Sequence, residues 1–135
     1  MPGTINLRPF KGLKPSVFLE DFNINVMGCI EILQKVLPKI QAAENASIVM
    51  FSTVAVKVGM PFHSSVSSSK GAIEGLTRAL AAEFAPKIRV NAIAPSILET
   101  PMSEKFLNSE TKLDNARNRH LSLIHISEPT RPMNI

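Results

Sequence analysis

Polar groups able to move a proton or hold a ligand fall at telling places in this sequence. Ser52 and Thr53 end the apolar run Ile48-Val49-Met50-Phe51. A hydroxyl there can hydrogen-bond a ligand at the carboxyl end of a strand, where open α/β sheets bind ligands. Lys70 stands early in a helix-periodic segment, at the edge of its apolar stripe. Asn25 interrupts another such segment, where its amide competes for backbone hydrogen bonds. His63 lies on the loop leading to Lys70, and histidine is the side chain whose charge changes near neutral pH. Each has a plainer reading: a hydroxyl that merely ends a strand, a solvated lysine, a satisfied core amide, an ordinary loop histidine. Cys29 is the single cysteine. It rules out a disulfide framework, cannot make a zinc site alone, and fits a reducing cytoplasmic compartment.

The elements that must carry these groups follow from periodicity. Residues 1–15 are rich in Pro and Gly and predict a loop, with a short strand at Thr4–Leu7. Phe18, Phe22, Val26, Ile30, Leu33, Leu37 and Ile40 recur every three or four residues, which predicts an amphipathic helix. Ser16 is its expected N-cap, and Pro38 is expected to end or kink it near Leu37. Ser47–Ser52 predicts a strand buried on both faces of a parallel sheet. A loop through Gly59, Pro61 and His63 leads to a second helix over roughly 67–85. There Glu74 and Arg78 are spaced for an ion pair on the wet side. Pro86 stops that helix, and residues 88–94 predict a second strand before Pro95. Strand, helix, strand at this spacing defines an α/β unit with parallel strands.

Three segments, Asn25-Val26-Met27-Gly28, Ile48 through Ala55, and Ser69-Lys70-Gly71-Ala72 through Leu80-Ala81-Ala82-Glu83 into Ile88-Arg89-Val90-Asn91-Ala92-Ile93-Ala94-Pro95, stand in the order and spacing of one family. Together they resemble the central portion of a short-chain dehydrogenase/reductase, closely over about residues 18–101. The resemblance implies a partial Rossmann-like doubly wound parallel sheet, lacking the N-terminal dinucleotide-binding half. It implies NAD or NADP as cofactor and a small-molecule carbonyl or alcohol as substrate. It assigns catalytic roles to Asn25 (holding a water in a proton relay), Thr53 (on the substrate oxygen) and Lys70 (on the nicotinamide ribose). Pro95, Ser96 and Thr100 match the turn that contacts the nicotinamide half of the cofactor. Ser96 stands where the family has glycine, and would be strained if the turn needs a positive φ. The two helices commonly pack on a partner subunit in this family, which implies a homo-oligomer for the full-length form.

The sequence also departs from the family. Its general acid is a tyrosine one helical turn before the lysine. That position is Val66, and the sequence contains no tyrosine. Ser67 and His63 are the candidate stand-ins, histidine being the better acid. No Gly-x-x-x-Gly-x-Gly turn follows a strand; Gly71 and Gly75 lie inside the second helix, where they are expected to permit close packing. The expectation is therefore a truncated and inactive oxidoreductase fragment over residues 1–120. The alternative is a non-catalytic member serving as a nucleotide-binding scaffold or sensor. Residues 121–135 resemble the translation of a sequencing adapter and are expected to be a non-native tail.

Composition narrows the partners. Of 135 residues, 44% are hydrophobic and 19% charged, a globular balance rather than a disordered one. The net charge of +4 is scattered, and the aromatic residues are all Phe without basic interleaving, so nucleic acid is not expected. No apolar run is long enough to span a bilayer, so no membrane partner is expected.

Overall fold

The computed structural model describes residue 4 and residues 6–96. Thr100 and the segment 121–135 lie outside the described residues. Thr4 and residues 6–7, expected as a strand, have irregular backbone.

The first predicted helix is longer than its periodicity indicated. Helix α1 (Pro15–Phe22) passes through a π-helical turn, Asn23–Met27, into α2 (Gly28–Ala42). The backbone at Asn23 and Met27 is right-handed helical, so the three pieces form one continuous rod. Lys14, not Ser16, caps it in an extended conformation. Pro15 takes the first helical position, where its missing N–H forfeits nothing. Pro38 does not end the rod. It forfeits one hydrogen bond, but Ile40 beyond it packs with Ile30, Leu33 and Leu37 against the core and holds the last turn in place.

Strands β1 (Ser47–Phe51) and β2 (Arg89–Ile93) pair in parallel, from Ser47 opposite Arg89 to Phe51 opposite Ile93. The crossover contains a short helix, α3 (Ala55–Val58), within the expected loop, and then α4 (Ser64–Phe84). Gly59 follows α3 with φ of 66°, a conformation that favours glycine. A Cβ added at Gly71 would meet Val56 of α3 at an ordinary 3.8 Å, and one added at Gly75 would meet nothing within 4 Å. The close packing expected of these two glycines is therefore found at neither among the described residues.

Val26, Cys29, Ile48, Met50, Ile73, Ile88 and Val90 form the core between the helices and one face of the strand pair. The other face of β1 is not buried, contrary to expectation: Val49 and Phe51 are 46% and 48% exposed. Alternation is the pattern of a sheet covered on one side, and among the described residues only one side is covered. Met50, at 1% exposure, sits at the centre of this core. Truncating Met50→Ala is expected to cost about 2–5 kcal/mol, read as a lowered urea midpoint with an unchanged slope.

Candidate active site

The parallel ladder continues past both strands. The Ser52 N–H donates to Ile93 O at 2.7 Å and the Val54 N–H to Pro95 O at 3.2 Å. These bonds place Ser52, Thr53, Pro95 and Ser96 together at the carboxyl end of the sheet. The two hydroxyls of β1's exit then diverge. Ser52 is buried, and its Oγ donates to Oε1 of Glu74, a residue expected on the wet side and found also 3.9 Å from Arg78. Thr53 is half-buried; its Oγ1 accepts from the Ala55 N–H at 3.3 Å, which leaves its hydroxyl proton to donate outward. Thr53 is thus the hydroxyl available to a substrate oxygen.

Lys70 meets the same sheet end from α4. Its Nζ donates to the Phe51 carbonyl at 2.9 Å, and an ammonium has two further N–H groups to offer. Burial holds its pKa below the ordinary 10.5, partly opposed by the charge that Cys29 would carry as a thiolate. Burial likewise pushes the Cys29 thiol up, with Lys70 opposing. Since the charged form of Lys70 is disfavoured on folding, the unfolded chain binds that proton more tightly. Stability contributed by this group should therefore rise with pH between its depressed value and the ordinary one, and fall away as pH drops through the depressed value. Urea unfolding of wild type and Lys70→Met across mildly alkaline pH checks this, because only the wild type should gain stability there.

Asn25 lies in the π-helical turn, at 4% exposure. Such turns recur at functional sites. Its Nδ2 donates to Thr4 Oγ1 and to Ser69 Oγ, each at 3.4 Å, while its Oδ1 is buried without a partner. Ser69 precedes Lys70, so Asn25 joins the same helix crossing. Ser96 Oγ is likewise buried and unpartnered, and Ser96 is absent from the positive-φ residues, so no glycine-type strain arises there. Val66, one turn before Lys70, is buried at 5% exposure. His63 caps α4 with its Nδ1 2.7 Å from the Pro61 carbonyl, and Ser67 Oγ is buried without a partner.

The sequence reading missed Asp21. It is fully buried and accepts from Thr4 Oγ1, Asn6 Nδ2 at 2.9 Å and Ser65 Oγ at 2.6 Å. Its four-residue spacing from Asn25 was the available signal, since that spacing puts both on one helix face. No group of three or more His, Cys, Asp or Glu able to hold a metal occurs among the described residues, and no described helix is long and apolar enough to cross a membrane.

Parallel strands with helices packed on one face, a hydroxyl at the strand exit and a lysine on the crossover helix make a partial, Rossmann-like α/β arrangement. The family model described as Enoyl-(Acyl carrier protein) reductase matches residues 3–128, and the chain belongs to the short-chain dehydrogenase/reductase family. It is 40% identical over 84 residues to a 3-oxoacyl-(acyl-carrier-protein) reductase of Thermotoga maritima, covering 62% of this chain and 34% of that protein. It is 33% identical over 114 residues to a 2,5-dichloro-2,5-cyclohexadiene-1,4-diol dehydrogenase of Sphingobium indicum, covering 83% and 46%. Among solved structures, a short chain dehydrogenase from Escherichia coli complexed with NADPH superposes with a TM-score of 0.76 at 25% identity, over 84% of this chain and 48% of that one. A glucose/ribitol-type short-chain dehydrogenase from Brucella melitensis gives 0.74 at 32% identity, over 84% and 45%. The chain thus spans between a third and a half of the proteins it matches.

Proposed function

We propose that this chain carries the nicotinamide end of an NAD(P)-dependent oxidoreductase site acting on a small carbonyl or alcohol. The observation that carries the reading is the half-buried Lys70 ammonium, anchored on Phe51 O at the carboxyl end of two parallel strands. A ribose diol suits the groups at this sheet end: Lys70 has spare donors, and the Ser96 hydroxyl, just past β2, is buried without a partner. A bound nicotinamide would supply or accept the hydride. Lys70 would hold its ribose, with Pro95, Ser96 and Thr100 beside the ring. Thr53 would donate to the substrate oxygen, and Asn25 would serve the proton relay.

Val66 removes the acid from this arrangement. A valine cannot protonate an alkoxide, and an aligned general acid contributes about 10²–10⁴ in rate. Without that acid, a site that holds NADPH through its nicotinamide half should bind it without measurable turnover, which is also how a nucleotide-binding scaffold or sensor would behave. NADPH oxidation against a panel of carbonyls, beside NADPH fluorescence on the same sample, tests this. Binding without oxidation is expected; oxidation above a no-protein blank contradicts the inactive reading, and absence of binding contradicts the site.

The domain reading, residues 1–120 with a non-native tail at 121–135, and a cytoplasmic location remain part of the same proposal. So does a homo-oligomer: Leu19, Ile32 and Val36 expose apolar surface along α1 and α2, at 64%, 47% and 37%. Burying that surface against a second copy would draw on the hydrophobic effect.

A further inference from the structure

The hydrogen bonds around Asp21 have a direction. Three donors converge on its carboxylate: Thr4 Oγ1 and Asn6 Nδ2 on Oδ1, and Ser65 Oγ on Oδ2. A hydroxyl has one proton, and Thr4 has committed its proton to Asp21. Ser69 has committed its own to the Val66 carbonyl at 3.0 Å. Both hydroxyls can then only accept from Asn25. The group that faces them must be the NH₂ of the carboxamide, as found. Turning the amide over would set its oxygen against two oxygens that have no proton left to give. Asn25 Oδ1 is consequently turned the other way, into a buried position where no protein donor meets it.

We propose that Asp21 is a positioning residue that, through Thr4, fixes the Asn25 carboxamide so that Oδ1 accepts a hydrogen bond from a buried water molecule. A buried carbonyl oxygen without a partner is costly, and a water with other polar neighbours is the ordinary remedy. Ser69 immediately precedes Lys70, so it is the NH₂ side of the carboxamide that faces the helix carrying the ammonium, and the water sits on the opposite, Oδ1 side. The purpose assigned to it, serving the relay, rests on the function proposed above; the coupling from Asp21 to Asn25 does not.

The test follows the Asn25 side-chain NH₂ by NMR in ¹⁵N-labelled protein, assigned with Asn25→Ala. The wild type should show a cross-peak between these protons and a long-lived water, with slow exchange against solvent. Thr4→Val and Asp21→Leu, which leaves no acceptor for Thr4, should each remove the water cross-peak and speed exchange by roughly tenfold, about the factor one hydrogen bond supplies. Their combination should be no faster than Thr4→Val alone, because the two act along one path. Ser65→Ala, which also strips a bond from Asp21 but leaves the Thr4 arm, should change neither signal. A wild type without the water cross-peak overturns the proposal. So does Ser65→Ala matching Asp21→Leu, or an additive double variant, since either shows general loosening. Should Asp21→Leu fail to fold, Thr4→Ser against Thr4→Val decides: serine keeps the donor and must keep slow exchange, and equal exchange in both contradicts the mechanism. NADPH binding to the wild type reports separately on the functional reading.

Discussion

Val66→Tyr should raise carbonyl reductase activity from below the limit of measurement, where the proposed function puts the wild type, to a measurable rate. Position 66 precedes Lys70 by four residues on α4, so a phenol there and the ammonium share one helix face. A positive charge beside a phenol typically lowers its pKa by about one to three units, bringing it toward the range where it can give a proton at neutral pH. The gain expected is on the order of 10²–10⁴ in kcat over the residual rate. Val66 is buried at 5% exposure, so the larger ring must displace neighbours, at a cost of roughly 1–3 kcal/mol. Steady-state NADPH oxidation with matched unfolding curves separates the two effects. A variant that folds, binds NADPH and still does not turn over would show that Thr53 and Lys70 are not arranged for this chemistry.

Lys70→Met in the Val66→Tyr background should return the rate to the wild-type floor. Methionine keeps the stem's length and apolar packing but has no donors for Phe51 O or for a ribose, and no charge for the phenol. The loss should be at least as large as the gain, about 10²-fold or more, because one substitution removes both cofactor contact and acid tuning. Rates measured from pH 6 to 10 sharpen the test. With lysine present, activity should fall as pH rises through the lowered tyrosine pKa. If methionine leaves the rate and its pH dependence unchanged, the lysine has no part in the reaction.

The fold was legible where one physical signal dominated. The three-and-four spacing from Phe18 to Ile40, and the short β-branched runs around Val49 and Val90, fixed helix and strand types correctly. Boundaries failed where local rules met packing. Pro38 obeys the rule against helix interiors less strongly than Ile40 obeys the core. α3 escaped because four residues carry no period. Burial of β1 on both faces was inferred from an unbroken apolar run, yet Val49 and Phe51 lie on a face that nothing described covers.

The site was legible as residue types and less so as bonds. Hydroxyls at 52 and 53 look equivalent in sequence. Only the fold shows Ser52 spent on Glu74 and Thr53 left to donate. Glu74, spaced for Arg78, serves the strand exit as well. The burial of Asp21 has no signature along the chain, because its three partners come from Thr4, Asn6 and Ser65, which are distant in sequence or on another helix. Spacing along one element cannot encode such a meeting.

The central claim, that the lysine at the carboxyl end of β1 marks a nicotinamide site, is tested most directly by NADPH titration of wild type and Lys70→Met under identical conditions. Saturable binding by the wild type, weakened at least about tenfold in Lys70→Met by the loss of charge-assisted hydrogen bonds, is the predicted result. Equal affinity in the two proteins, or no saturable binding in either, would contradict it.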